Sequence, residues 1–400
     1  MNIPPIRPKD RFLVFGAPAI EEAEIEEVVA SMRNGWLGTG PKVARFESDF
    51  RTYKDADHAV AVNSCTAALH LSILAAGIKA GDEVITTPLT FCATVNAIIH
   101  AGATPVLADV DPVTMNIDPK QVELKITKKT RAILPVHFAG RPCDMDALCD
   151  LTRQLNLKLI EDCAHAIETE YKGCKIGTFG DFGCFSFYVT KNIVTGEGGM
   201  VLAQREEDAA RVKVLALHGM SKDAWKRFGD EGHKHYYVVE CGFKYNMMDI
   251  QAAIGIHQLS RVETYWQRRQ EIWNRYNEAF ADLPIGLPAD PESDTRHAYH
   301  LYTILVDPEK TGISRNAFLD AMIAQNIGVG VHYQSIPEHP YYQERFGWKP
   351  EDYPNAMRIG RQTVSLPLSA KFSERDVEDV NTAVRKIIVN STENKDKQRG

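Results

Sequence analysis

Short apolar runs alternate with stretches of helical periodicity through the first half of the chain. Residues 58–62 (HAVAV), 82–87 (DEVITT), 104–109 (TPVLAD), 131–137 (RAILPVH), 157–162 (LKLIED) and 199–203 (GMVLA) predict strands. Between them, 43–53, 67–76, 92–101 and 145–155 predict helices. Strand and helix in alternation imply an α/β class with a mostly parallel sheet covered on both faces. In such sheets ligands gather beyond the carboxyl ends of strands. Ser64, Thr66, Phe91, Asp162 and His165 all follow such ends.

The flanking segments read differently. Residues 19–32 predict an amphipathic helix with an apolar stripe of Ile20, Ile25, Val28 and Val29, and the glycines and proline of 36–41 predict a loop. A long helix is expected from 249 to about 280, and the proline-rich 282–294 marks a break between lobes. Beyond it, strands at 299–306 and 327–333 with helices at 315–324 and 374–389 predict a smaller α+β unit. The expected organisation is an arm and helix (1–35), a large α/β domain (36–248), a connecting helix (249–281), a small α+β domain (282–390) and a disordered tail (391–400).

Composition narrows the class. With 400 residues, two lobes are expected; 44% hydrophobic and 25% charged residues describe a soluble globular protein. The formal net charge of -7 argues against nucleic acid or an anionic membrane as partner, and no run has the length of a signal peptide core or a membrane span. A cytoplasmic location is expected. The eight cysteines form no CxxC pair and sit mostly among apolar residues, which predicts reduced thiols and no metal site.

The chemistry concentrates at 181–199, DFGCFSFYVTKNIVTGEGG, which sets Lys191 between an aromatic-rich run and a glycine-rich turn, with Ser186 five residues earlier. Poor solvation favours the neutral amine, and a neutral lysine forms a Schiff base with an aldehyde such as pyridoxal phosphate. The turn Asn63, Ser64, Cys65, Thr66 runs from a strand into a helix, whose open N–H groups hold a phosphate; an ordinary serine cap is the alternative. Asp162 is suited to a protonated pyridine nitrogen, with a helix cap as its other use. Phe91 suits stacking on a ring or core packing, and His165 suits a ring hydroxyl or a buried structural role.

Taken in order, WLGTGPKVARFE, NSCTAAL, GDEVITTPLTF, IEDCAHAI, FSFYVTKNIVTGEGGM, GFKYNMMDIQAAIG and VHYQSIPEHPYY resemble the DegT-type sugar aminotransferases, a branch of the fold-type I pyridoxal phosphate enzymes, across nearly the whole chain. The resemblance implies that Lys191 forms the internal aldimine, Asp162 faces the pyridine nitrogen, Phe91 stacks on the ring and His165 lies near the ring hydroxyl. It also implies that Cys65, Thr66 and Ser186 hold the phosphate. Active sites shared in a homodimer would bring Lys244 or Asn246 to the partner's phosphate. Cys65 replaces a common glycine or alanine. Lys244-Tyr-Asn246 replaces a common Asn-Tyr-Arg and, with HGMSKDAWKR, looks like the subgroup acting at C4 of UDP-linked 4-keto sugars.

The implied activity is transfer of an amino group from glutamate to a nucleotide-linked keto-sugar for cell-surface polysaccharide or glycan. Lys222, Arg227, His233 and Lys234, with His332 and Tyr333, are the candidate substrate contacts. A sugar dehydratase of the same fold is the alternative; its nearest deoxysugar members carry histidine in place of the lysine kept here. A non-catalytic sensor is the reading from another class, and the intact set Asp162, Ser186 and Lys191 argues against it.

Overall fold

The computed structural model describes residues 5–221 and 236–399. Its strands are β1 (His58–Val62), β2 (Glu83–Thr86), β3 (Thr104–Leu107), β4 (Thr130–Leu134), β5 (Lys158–Asp162), β6 (Glu170–Tyr171), β7 (Cys174–Lys175), β8 (Phe182–Ser186), β9 (Gly199–Ala203), β10 (Thr295–Arg296), β11 (Tyr302–Leu305) and β12 (Thr363–Leu366). Seven of them form one sheet in the order β1-β9-β8-β5-β4-β2-β3. β2 pairs in parallel with β3 and β4, β4 with β5, and β5 with β8. β9 is the reversed strand of this sheet, antiparallel to both β1 and β8.

Because β9 is reversed, its first residue, Gly199, lies level with the last residues of its neighbours, Val62 and Ser186. The carboxyl ends of β1, β5 and β8 and the start of β9 therefore share one edge. Helices cover both faces of the sheet. One apolar layer joins Phe46, Phe50, Phe185 and Phe187 with Ile256 and Leu259. The other packs Leu69, Leu71 and Ile73 of helix Cys65–Ala75 against Val60, Cys184 and Val201. A further core gathers Trp273, Tyr276, Tyr302, Phe318, Val364, Val384 and Ile388.

Several expectations are corrected. The long helix over 249–281 is two helices, Asp249–Ser260 and Val262–Phe280, because Arg261 leaves helical geometry at φ -105 and ψ 2. There its guanidinium turns to Glu24 and the Tyr265 hydroxyl. The 327–333 strand does not form; Ile327 bridges Leu13 and Gly330 bridges Ser365, so opposite ends of the segment go to different partners. The expected disordered tail continues the last helix, Glu374–Arg399. Burial of Ser391 and bonds from Lys395 Nζ to the carbonyls of Glu309 and Lys310 hold it.

Helix Glu22–Asn34 departs in part from its predicted stripe: Glu24 and Ser31 are buried and Ile25 is exposed, while Val28 and Val29 are half-buried and Ile20 lies exposed before the helix. Gln258 and Arg261 bind Glu24, which draws this residue inward. The first residues belong physically to the C-terminal core: Leu13 N–H donates to Asn326, and Arg7 pairs with Asp376 and Asp379. All eight cysteines are free. Among the described residues no helix is long and apolar enough to cross a membrane.

Candidate active site

The site grows from the shared sheet edge. After β1 the chain turns at Ser64, whose hydroxyl accepts the Ala67 N–H at 3.1 Å and so caps helix Cys65–Ala75. That leaves the amides of Cys65 and Thr66 as first-turn donors with no intrahelical acceptor. Gly199 makes the close packing of this turn possible. A Cβ there would stand 2.5 Å from the Ser64 carbonyl carbon and 2.8 Å from the Cys65 nitrogen. Ser186, opposite Gly199 in register, brings a buried hydroxyl to the same spot. The Cys65 thiol turns to the Cys184 carbonyl, at 3.6 Å, so its bulk lies against the sheet.

Lys191 is half-buried in the bend after β8, and loss of water around it brings its ammonium pKa down to about 8, against the pull of Cys65 and Asp162. Asp162, at the end of β5, is buried. Its Oδ2 accepts from Thr94 at 2.8 Å and its Oδ1 from the Ala164 N–H at 3.1 Å. Burial pushes this carboxyl up, while those two bonds and the charges of Lys191 and His137 oppose it. Phe91 is 58% exposed at the start of helix Cys92–His100, with its ring centroid 5.9 Å from that of Tyr333. Its large exposed ring at a strand end fits stacking better than core packing.

His165 is buried and held far below its ordinary pKa by desolvation. Its Nδ1 accepts the Ala139 N–H at 3.2 Å, and its Nε2 lies 3.0 Å from the Tyr333 hydroxyl. A second histidine, His300, lies beside it with ring centroids 4.5 Å apart. Asn192, the neighbour of Lys191, donates its amide protons to Glu168 at 2.8 Å and to the Ala298 carbonyl at 3.1 Å. Its oxygen therefore accepts from His300 Nδ1, at 2.9 Å, which leaves neutral His300 an unprotonated Nε2. Arg269 closes the chain by an ion pair with buried Glu168. His332 bonds the Ser365 hydroxyl at 2.8 Å, stacks on Phe15, and is lowered to about 4 by burial.

The structure thus brings together Cys65, Thr66, Asp162, His165, Ser186, Lys191 and Tyr333, with Phe91 at the rim. Thr94, Glu168, Asn192 and His300 were not anticipated. Their signal is a polar residue amid apolar neighbours, which does not reveal its partner until distant strands meet. Lys244 is exposed. Asn246 gives its amide to Thr39 at 2.7 Å and keeps a buried oxygen without a partner. Lys222, Arg227, His233 and Lys234 lie outside the described residues.

One group among the described residues has metal-binding types in reach of one another: His137, Glu161 and Cys163. Its ligand atoms are already spent. Glu161 accepts N–H groups from Gly177, Phe179 and Gly180 at 2.8 to 2.9 Å, and His137 Nδ1 accepts from Cys143.

An amine whose pKa is brought down to about 8, a buried carboxylate and a capped helix end suit an aldehyde-bearing aromatic phosphate, and residues 18–385 match the DegT/DnrJ/EryC1/StrS aminotransferase family. The chain belongs to that family. It is a fold-type I, pyridoxal phosphate-dependent sugar aminotransferase. Its sequence is 49% identical over 384 residues to the spore coat polysaccharide biosynthesis protein SpsC of Bacillus subtilis, covering 96% of this chain and 99% of SpsC. The putative sugar aminotransferase Spr1654 of Streptococcus pneumoniae, solved in PMP and PLP forms, is similar. Its PMP form has a TM-score of 0.86 at 34% identity and covers 94% of this chain and 100% of its own. DesI, crystallised in the presence of its TDP-sugar product, gives 0.86 at 29% identity, covering 99% of this chain and 97% of its own.

Proposed function

We propose that this sugar aminotransferase moves an amino group from glutamate to C4 of a nucleotide-linked keto-sugar, with UDP as the nucleotide, as a homodimer serving cell-surface polysaccharide or glycan synthesis. The observation that carries the reading is the convergence of Lys191, Asp162 and the Ser64-capped helix end on one sheet edge. SpsC, a polysaccharide biosynthesis protein, and DesI, crystallised with a TDP-sugar, support the substrate class. Exposure of Ile25 and Met32 on helix Glu22–Asn34, with Trp36 and Leu37 following it, supports an apolar face covered by a second copy.

The residues divide the work as follows. Pyridoxal phosphate, when bound, supplies the electron sink. Lys191 would hold it covalently, and its amine, with a pKa of about 8, would move a proton at the reacting carbon. Asp162 pairs with the ring nitrogen, Phe91 covers one ring face, and His165 and Tyr333 serve the ring hydroxyl side. The amides of Cys65 and Thr66 with the Ser186 hydroxyl hold the phosphate. Lys244 is assigned to the partner's phosphate, because it is exposed, while Asn246 is half-buried and gives one of its two amide protons to Thr39. His332 lines the sugar side.

Borohydride reduction of the cofactor-loaded protein followed by peptide mapping should place the label on Lys191. UDP- and TDP-linked 4-keto and 3-keto sugars supplied with glutamate should yield 2-oxoglutarate fastest with a UDP 4-keto sugar. Turnover by a Lys191→Ala protein would overturn the chemistry, and preference for a TDP or 3-keto substrate would overturn the specificity.

A further inference from the structure

Asp162 is not held by the sheet alone. Its Oδ2 lies 2.8 Å from Thr94 Oγ1, and Thr94 Oγ1 lies 2.8 Å from Thr90 Oγ1. Thr90, Thr94 and Asp162 are 3%, 1% and 4% exposed, so bulk solvent barely reaches these groups. An ionised carboxylate only accepts, hence Thr94 donates its single proton to Asp162. Thr94 then has only lone pairs to offer, and Thr90 must donate to it. The chain of bonds is directional, from Thr90 through Thr94 to Asp162.

We propose that Thr94, backed by Thr90, is a positioning residue that keeps Asp162 ionised and fixes the plane of its carboxylate toward the ring nitrogen. The inference rests on the reading of Asp162 given above. Burial alone drives the Asp162 carboxyl toward its neutral form, and Thr94 is the largest influence against that drift, followed by the Ala164 N–H, Lys191 and His137. The other ionisable groups facing Asp162, including Tyr333, Cys65 and Cys184, are held neutral by burial and supply no compensating positive charge. A protonated Asp162 donates to a pyridine nitrogen instead of accepting from a pyridinium. The ring then withdraws electrons less strongly. Geometry adds a second link: Thr90 and Thr94 bracket Phe91, so the segment that would stack on the ring also carries the hydroxyls that hold its nitrogen partner.

Thr94→Val replaces the hydroxyl by a methyl of similar volume, and Thr94→Ser restores it. In apoprotein with carbon-13-labelled aspartate, the Asp162 carboxyl midpoint should rise by about one pH unit in Thr94→Val and return toward wild type in Thr94→Ser. An unmoved midpoint overturns the proposal, whatever the cofactor does. In loaded protein, the first half-reaction with glutamate should slow roughly tenfold or more in Thr94→Val and recover in Thr94→Ser. A shifted midpoint with an unchanged rate overturns the catalytic part of the role. Because the apoprotein measurement needs no cofactor, failure of wild type to bind pyridoxal phosphate would fault the reading of the site and leave the positioning result intact. If Thr94→Val does not fold, Thr90→Val is read in the same two measurements, with smaller changes of the same sign expected.

Discussion

The Tyr333 hydroxyl stands 3.0 Å from His165 Nε2, while His165 Nδ1 accepts the Ala139 N–H. Neutral His165 therefore carries its proton on Nε2 and donates to Tyr333, whose own proton is free for a third group. Tyr333→Phe should strand a buried donor, lowering stability by about 1–3 kcal/mol in urea unfolding. It should also slow single turnover with glutamate roughly tenfold. Unchanged values in both measurements would show that the pair does not matter.

Lys191 gives a pH prediction with a definite sign. Its folded pKa of about 8 lies below the ordinary lysine value, so between these pH values the unfolded chain binds more protons and stability rises with pH. The cost of this lysine is fully present below about pH 8 and gone above the ordinary value of roughly 10.4. Apoprotein Lys191→Met should gain up to about 3 kcal/mol at pH 7 and little at pH 10.5, read by urea unfolding at each pH. An equal gain at both pH values would assign the effect to packing.

Gly199→Ala tests the cradle. The added methyl meets backbone atoms of Ser64 and Cys65, which cannot swing aside as a flexible side chain does. A stability loss of about 1–3 kcal/mol is expected from the forced shift. Cofactor Kd should rise at least about tenfold, measured by fluorescence titration. Gly196→Ala, with no atom within 4 Å of its added Cβ but a φ of +81, is the control for backbone strain without crowding.

Mixing tests the shared site. On the proposed dimer, Lys191→Ala and Lys244→Ala proteins should each be impaired, the first lacking its amine and the second losing cofactor affinity roughly tenfold. Co-refolded, they should regain activity at low cofactor concentration, because one hybrid site has both lysines intact. No recovery would place Lys244 in its own subunit's chemistry.

Local patterning made much of the sheet legible: β1, β5 and β9 lie within the predicted runs, Ser64 follows β1 and Asp162 ends β5, whereas β8, before Lys191, lies in none of those runs. What stayed hidden depends on contacts between distant residues. Nothing in the sequence around Arg261 breaks a helix, since the cause is Glu24, 237 residues earlier. The run IGVGVHY alternates as a strand does, but its partners are divided between Leu13 and Ser365. Thr94 beside Asp162 and Asn192 beside Glu168 were equally unreadable, because each pair joins separate elements of the chain.

The ion pairs of Arg7 with Asp376 and Asp379 span 369 and 372 residues. During synthesis Arg7 is made 369 and 372 residues before these two partners. Residues 5–15 must therefore stay undocked while the sheet assembles, and the loop they close is among the longest in the chain. Docking of Arg7 onto helix Glu374–Arg399 thus follows assembly of the sheet, and a nascent chain stalled before residue 326 leaves Leu13, whose partners are Asn326 and Ile327, exposed as a handle for chaperones.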